Sequence, residues 1–178
     1  AALDAQLPGG GWPVAELIEL LQPPHACQAW RLLAPALRQA QRRGPLVLVG
    51  APRWPHLAAW AAQGLRPREV LRVDVPDGNA GLWAAEQALR SGAAGAVLLW
   101  TAQARPDSLR RLHLAAREAV AEVEGANLAG PLLFAMRPET TAGQSSPAPL
   151  RLQVRPDAAG LGLCLRVLKR RGPPLERA

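Results

Sequence analysis

Residues 7–30 read LPGGGWPVAELIELLQPPHACQAW: a Gly-Gly-Gly turn, an apolar run, a proline-bearing loop and the start of a helix. This is the strand–loop–helix order in which a phosphate cradle is built, with backbone N–H groups converging on the anion at a helix N-terminus. A working cradle needs glycines for close approach, a lysine for the outer phosphates and a Ser or Thr hydroxyl for Mg²⁺. The loop here is Gln22, Pro23, Pro24, His25, Ala26, Cys27, Gln28. Its two prolines carry no N–H and fix φ where glycine freedom is required. Neither lysine nor hydroxyl follows. The frame of a nucleotide site is in place without its chemistry.

Working outward, the 178 residues are 49% hydrophobic, which supports one domain, residues 1–178, with a sizeable core. With six Trp, one Phe and no Tyr, Leu, Val and Ala must fill most of it. Lys169 is the only lysine, so the basic residues are nearly all arginine, a bias that fits a GC-rich genome. The net charge of +7 favours anionic partners, nucleic acid first, but the arginines are scattered, as on solvated helix faces. Cys27 and Cys164 are isolated, and His25, His56 and His113 are far apart. That spacing argues against a disulfide framework or a metal site. Ser145 and Ser146 sit in no nucleophile elbow. No charged segment precedes an apolar one and no apolar run approaches membrane length, so a soluble, cytoplasmic protein is expected. The chain starts without Met and almost inside a motif, as a trimmed piece of a longer one would.

Strand and helix signals alternate five times. Val14–Leu21 is bounded as a strand by Gly9–Trp12 and Pro23-Pro24. Ala26–Arg42 predicts a helix with Trp30, Leu33, Leu37 and Ala40 on one face, and Pro35 inside it predicts a kink or a late start. Leu46–Gly50 is a short apolar run of the central parallel type, Pro55–Gly64 a short helix ended by its glycine, and Val70–Val73 a third strand. Asn79–Ser91 reads as a helix with Leu82, Ala85, Gln87 and Leu89 near its buried side, and Gly95–Trp100 as the most hydrophobic, central strand. Asp107 or Ser108 caps a helix over Leu109–Glu124; its apolar face is Leu109, Leu112, Ala116, Ala119, Val120 and Val123, with Arg110, Arg111, Arg117 and Glu118 toward water. Glu122 and Glu124 fall on different faces of it and form no carboxylate pair. Leu132–Met136 is a strand, Pro138–Pro149 a polar, mobile loop, and Leu150–Arg155 with Leu161–Leu168 a hairpin around Pro156–Gly160. The expected fold is α/β: a mostly parallel twisted sheet with helices on both faces and a C-terminal antiparallel hairpin.

Four places in fixed order resemble the core of the RecA recombinase: the Gly-Gly-Gly turn, RSGAAGAVLLW at Arg90–Trp100, PETTAG at Pro138–Gly143 and VLKRR at Val167–Arg171. PETTAG followed by a strand pair is the most specific. Within that RecA-like group, LDAQLPGGGWP at Leu3–Pro13, LWAAEQALRSGAAGAVLLW at Leu82–Trp100, SLRRLHLAA at Ser108–Ala116 and LKRRGP at Leu168–Pro173 resemble the ImuA family, SulA/RecA-related proteins of bacterial SOS mutagenesis cassettes. The resemblance implies a RecA-like core and a place in the DNA-damage response. Its implied partners in translesion synthesis are an ImuB-type inactive Y-family polymerase homologue and an error-prone replicative-type DNA polymerase subunit, with RecA as a third.

The same comparison implies three losses. RecA-type ATPases place a carboxylate after the second strand, where this chain has Gly50-Ala51-Pro52-Arg53, and an Asp near Mg²⁺ at the end of the central strand, where it has Trp100. With the lysine of the phosphate loop also gone, phosphoryl transfer lacks its positioning and charge-neutralising groups. The expectation is a pseudo-ATPase without cofactor, metal or catalytic residue, acting by protein–protein interaction. The alternative from another class is a DNA-binding recombination or repair accessory protein that acts on RecA filaments, its binding weakening steeply with salt. A third is an ATPase completed in trans by a partner. For contacts, the resemblance points to Arg137 as the only basic residue of the PETTAG loop and to Lys169, Arg170 and Arg171, where the family has a basic pair reaching a neighbouring subunit. A solvated cationic strand end is the favoured account of the second group. Trp12, Trp54 and Trp60 read either as interface anchors or as core and pocket lid.

Overall fold

The computed structural model describes residues 3, 6–7, 10–23, 29–120, 130–160 and 162–171. Their strands are β1 (Leu17–Gln22), β2 (Leu46–Val49), β3 (Val70–Val73), β4 (Ala96–Trp100), β5 (Leu132–Pro138), β6 (Leu150–Pro156) and β7 (Leu163–Arg170). Their α-helices are α1 (Ala29–Ala40), α2 (Leu57–Ala62), α3 (Gly78–Arg90) and α4 (Pro106–Glu118). One sheet runs in the order β3-β2-β4-β5-β1-β6-β7, parallel throughout except for β7 against β6. No helix among the described residues is long and apolar enough to cross a membrane.

The two-layer wrapping follows from handedness. From β1 through β2 to β3 the chain steps toward one sheet edge, and from β3 through β4 to β5 it steps back. Parallel crossovers are right-handed, so reversing the step puts the helix on the other face. Leu46, Leu48, Ile18, Leu20 and Phe134 accordingly pack with Leu33 and Leu37 of α1 and Trp60 of α2. Val47, Val49, Leu17, Leu133 and Ala135 pack with Ala85 and Leu89 of α3 and Leu109 and Leu112 of α4. Both residues of each alternating pair are buried, which is why the strands are continuous apolar runs. Gly95 makes the close fit at the start of β4: a Cβ there would stand 2.1 Å from the Ala40 carbonyl oxygen. Only glycine permits that approach.

Several element ends differ from the sequence expectation. β1 begins at Leu17 rather than Val14, because Ala15 turns the chain through a left-handed conformation (φ 57°) and donates its N–H to the Pro131 carbonyl. α1 is described from Ala29, the expected start at Ala26 lying outside the described residues, and it carries Pro35 within it, on the exposed side. α4 starts at Pro106, whose fixed φ and missing N–H suit a first helical position, and not after an Asp107 or Ser108 cap. Asp107 instead pairs with Arg110 at 2.9 Å. On α3 the buried polar residue is Glu86, not Gln87; it accepts from Arg111 of α4 at 2.5 Å and Arg90 at 3.2 Å. The hairpin strands end at Pro156 and Arg170. Val123, Glu122, Glu124 and Leu161 lie outside the described residues.

Candidate functional site

In open α/β sheets a cleft forms beyond the carboxyl ends of the strands. Here that edge is built by β1, β2, β4 and β5, and it holds a cleft of about 290 Å³ lined by Gln22, Pro23, Gly50, Pro52, Trp100, Thr101, Ala102, Met136, Arg137 and Pro138. The turn after β2 makes room for it. Gly50 has φ 66° and donates its N–H to the Val73 carbonyl at 3.0 Å, and a Cβ would sit 3.4 Å from the Trp100 carbonyl oxygen. A second cleft of about 330 Å³ shares Pro52 and Trp100 and continues past Trp30, Arg53, Trp54 and Trp60.

Trp100 therefore stands between the two. Its ring packs on Trp30 of α1 at 5.4 Å between centroids, and Trp30 packs on Trp60 at 4.7 Å. The aromatic cluster forms because β4 turns Trp100 to the same face as Leu98, the face that α1 and α2 cover. Trp54 is 53% exposed, with the Arg72 guanidinium 5.3 Å from its ring centre. Trp60 is buried, and Trp12 packs edge-on against Phe134 in the core at 5.3 Å. Of the three tryptophans weighed as anchors, Trp54 alone is largely exposed.

Of the expected phosphate loop, Gln22 and Pro23 line the cleft; Pro24, His25, Ala26, Cys27 and Gln28 lie outside the described residues. Gln22 is buried, and its Oε1 has no hydrogen-bond partner among the described residues. Buried side-chain oxygens are nearly always paired, so this one stands out.

Arg137 corrects an expectation. It was a candidate surface contact, but it is 1% exposed and held by a carboxylate that the sequence reading did not single out. Glu19, wholly buried in β1, accepts from Arg137 Nη1 at 3.1 Å and Ser146 Oγ at 2.8 Å through one oxygen, and from Arg151 Nε at 2.5 Å through the other. Arg151 also donates to the carbonyls of Ala142 and Thr141, at 3.1 and 3.0 Å, and Arg137 to Gln144 at 2.9 Å. The segment after β5, expected to be mobile, thus crosses the α4 face of β1 toward β6, with Arg151 holding its backbone and Arg137 its Gln144 side chain. Leu17 and Leu133 show that this is the apolar α3–α4 side of the sheet. The clue in the sequence was a lone acidic residue inside an otherwise apolar strand, since buried charges are paired.

The basic trio is not brought to the cleft. β7 runs antiparallel to β6, with Arg170 opposite Leu150, so the trio sits at the other end of the sheet. Lys169 Nζ donates to the Ser146 carbonyl at 2.9 Å, Arg170 to the Gln6 carbonyl at 2.7 Å, and Arg171 is exposed. With His113, Pro147 and Pro149 they line a hollow of about 240 Å³. His113 Nε2 lies 2.5 Å from Glu16 Oε2.

Fold and cleft define an open α/β protein, doubly wound, with an aromatic- and proline-lined cleft at its strand ends. Among solved structures the chain is similar to SulA from Pseudomonas aeruginosa, at 21% identity over 70% of this chain and 98% of that one, with a TM-score of 0.49. No protein-family model matches the chain. No curated protein matches it either.

Proposed function

We propose that this chain is a non-catalytic RecA-like adaptor in the SOS-induced translesion synthesis complex. In this reading it holds an ImuB-type inactive polymerase homologue and an error-prone replicative-type polymerase subunit together and engages RecA. The observation that carries the reading is the lining of the strand-end cleft. Where a nucleotide and Mg²⁺ would need a lysine and carboxylates, the described lining offers Pro23, Pro52, Trp100 and Met136. Its one cation, Arg137, is already engaged by Glu19. Phosphoryl transfer consists largely of positioning and charge neutralisation, and such a wall supplies neither. The four RecA-like sequence places and the ImuA-like segments support the partner set.

Calorimetric titration with ATP and Mg²⁺ tests the catalytic half; no heat of binding is expected, and micromolar affinity would sink it. Co-purification with the polymerase homologue tests the adaptor half, with a stable complex expected and loss of the homologue on washing counting against it. Steady-state hydrolysis measured with that partner present should stay at background.

A further inference from the structure

We propose that the paired clefts around Trp100 receive an acidic, aromatic-bearing segment of a protein partner, an inference that rests on the adaptor reading. The first support is the orphan acceptor. Gln22 is 8% exposed, lines the cleft and leaves Oε1 without a partner among the described residues. An occupant that donates an N–H or O–H there restores a hydrogen bond that folding left unmade.

The second support is shape. Beside Gln22 the lining includes apolar Pro23, Pro52, Trp100 and Met136, together with Thr101 and the Glu19-paired Arg137. Tyrosine and tryptophan combine an apolar ring with one polar tip, and they dominate the buried anchors of protein interfaces. The third is charge. Past Trp100 the adjoining cleft carries exposed Arg53, with no carboxylate among its described lining residues. Acidic residues flanking the aromatic anchor match that rim. A nucleic-acid strand would want a longer cationic track, whereas Arg72, the next cation beside Trp54, is paired with Asp74 at 2.7 Å.

The test titrates the chain with two short peptides rich in Asp and Glu, one with a central tryptophan and its twin with alanine there, followed by amide NMR shifts. The tryptophan peptide should move the Gly50, Thr101 and Met136 amides and bind roughly tenfold more tightly than its twin. Gln22→Leu should weaken it by about tenfold and Arg53→Glu by about threefold, with the rest of the spectrum unchanged. Equal affinity of the two peptides overturns the proposal. So does a thymidine oligomer that binds the cleft and is weakened by Gln22→Leu. Failure of the peptides while ATP with Mg²⁺ also stays silent overturns this inference alone; ATP with Mg²⁺ competing for the cleft overturns the adaptor reading beneath it.

Discussion

Glu19 and Gln22 lie three residues apart on β1, both polar and both buried, and their surroundings are opposite. Glu19 points to the α4 face, where two guanidiniums and a hydroxyl satisfy its oxygens. Gln22 stands where β1 opens onto the strand-end cleft, and its Oε1 finds no hydrogen-bond partner among the described residues. The first residue closes the structure; the second leaves it open. A buried charge costs several kcal/mol unless paired, so the carboxylate has recruited the crossover segment to cover it. A neutral amide costs less when left unpaired, and a binding surface can keep one in reserve.

Substitutions can break this contrast. Glu19→Leu should cost about 3–5 kcal/mol in urea unfolding, because Arg137 and Arg151 stay buried without their carboxylate. Replacing the two arginines as well by apolar residues of similar volume should return most of that loss. If the single change costs under about 1 kcal/mol, the cluster does not lock the crossover segment in place. Ser146→Ala removes one hydrogen bond to a charged oxygen and should cost about 1.5–3 kcal/mol by the same measurement. Gln22→Leu should leave stability within about 1 kcal/mol of the parent, or raise it, since an unsatisfied acceptor disappears. A larger loss would mean that Gln22 is structural and not held for a ligand. Trp54→Ala, at a half-exposed ring, should change stability by no more than about 0.5 kcal/mol while lowering affinity for the acidic tryptophan peptide.

Much of the fold was legible because its signals are strong and local. Continuous apolar runs marked β2 and β4 as buried parallel strands, and glycine and proline marked most boundaries. The errors came where a distant contact overrode a local preference. Val14 left the strand because Ala15 is pinned to Pro131, just before the neighbouring strand β5 and over a hundred positions away in sequence. Glu86 replaced Gln87 inside because α4 brings Arg111 beside it. In the site, Pro52 and Trp100 were visible from their places at strand ends, and both line the cleft. Arg137 was misjudged because its neighbours in sequence are polar loop residues, while its partner Glu19 lies 118 positions away.

By itself the sequence determined the alternation of strands and helices, the doubly wound α/β class and the lack of lysine and hydroxyl in the expected phosphate loop. These depend on spacing, turn residues and residue chemistry, all local in the chain. Only the tertiary structure decided which charges are buried together, which tryptophans are left facing solvent and which end of the sheet the basic trio occupies. Those outcomes depend on which strands become neighbours and in which direction they run. In this sheet β1 lies between β5 and β6, which brings Glu19 between Arg137 and Arg151.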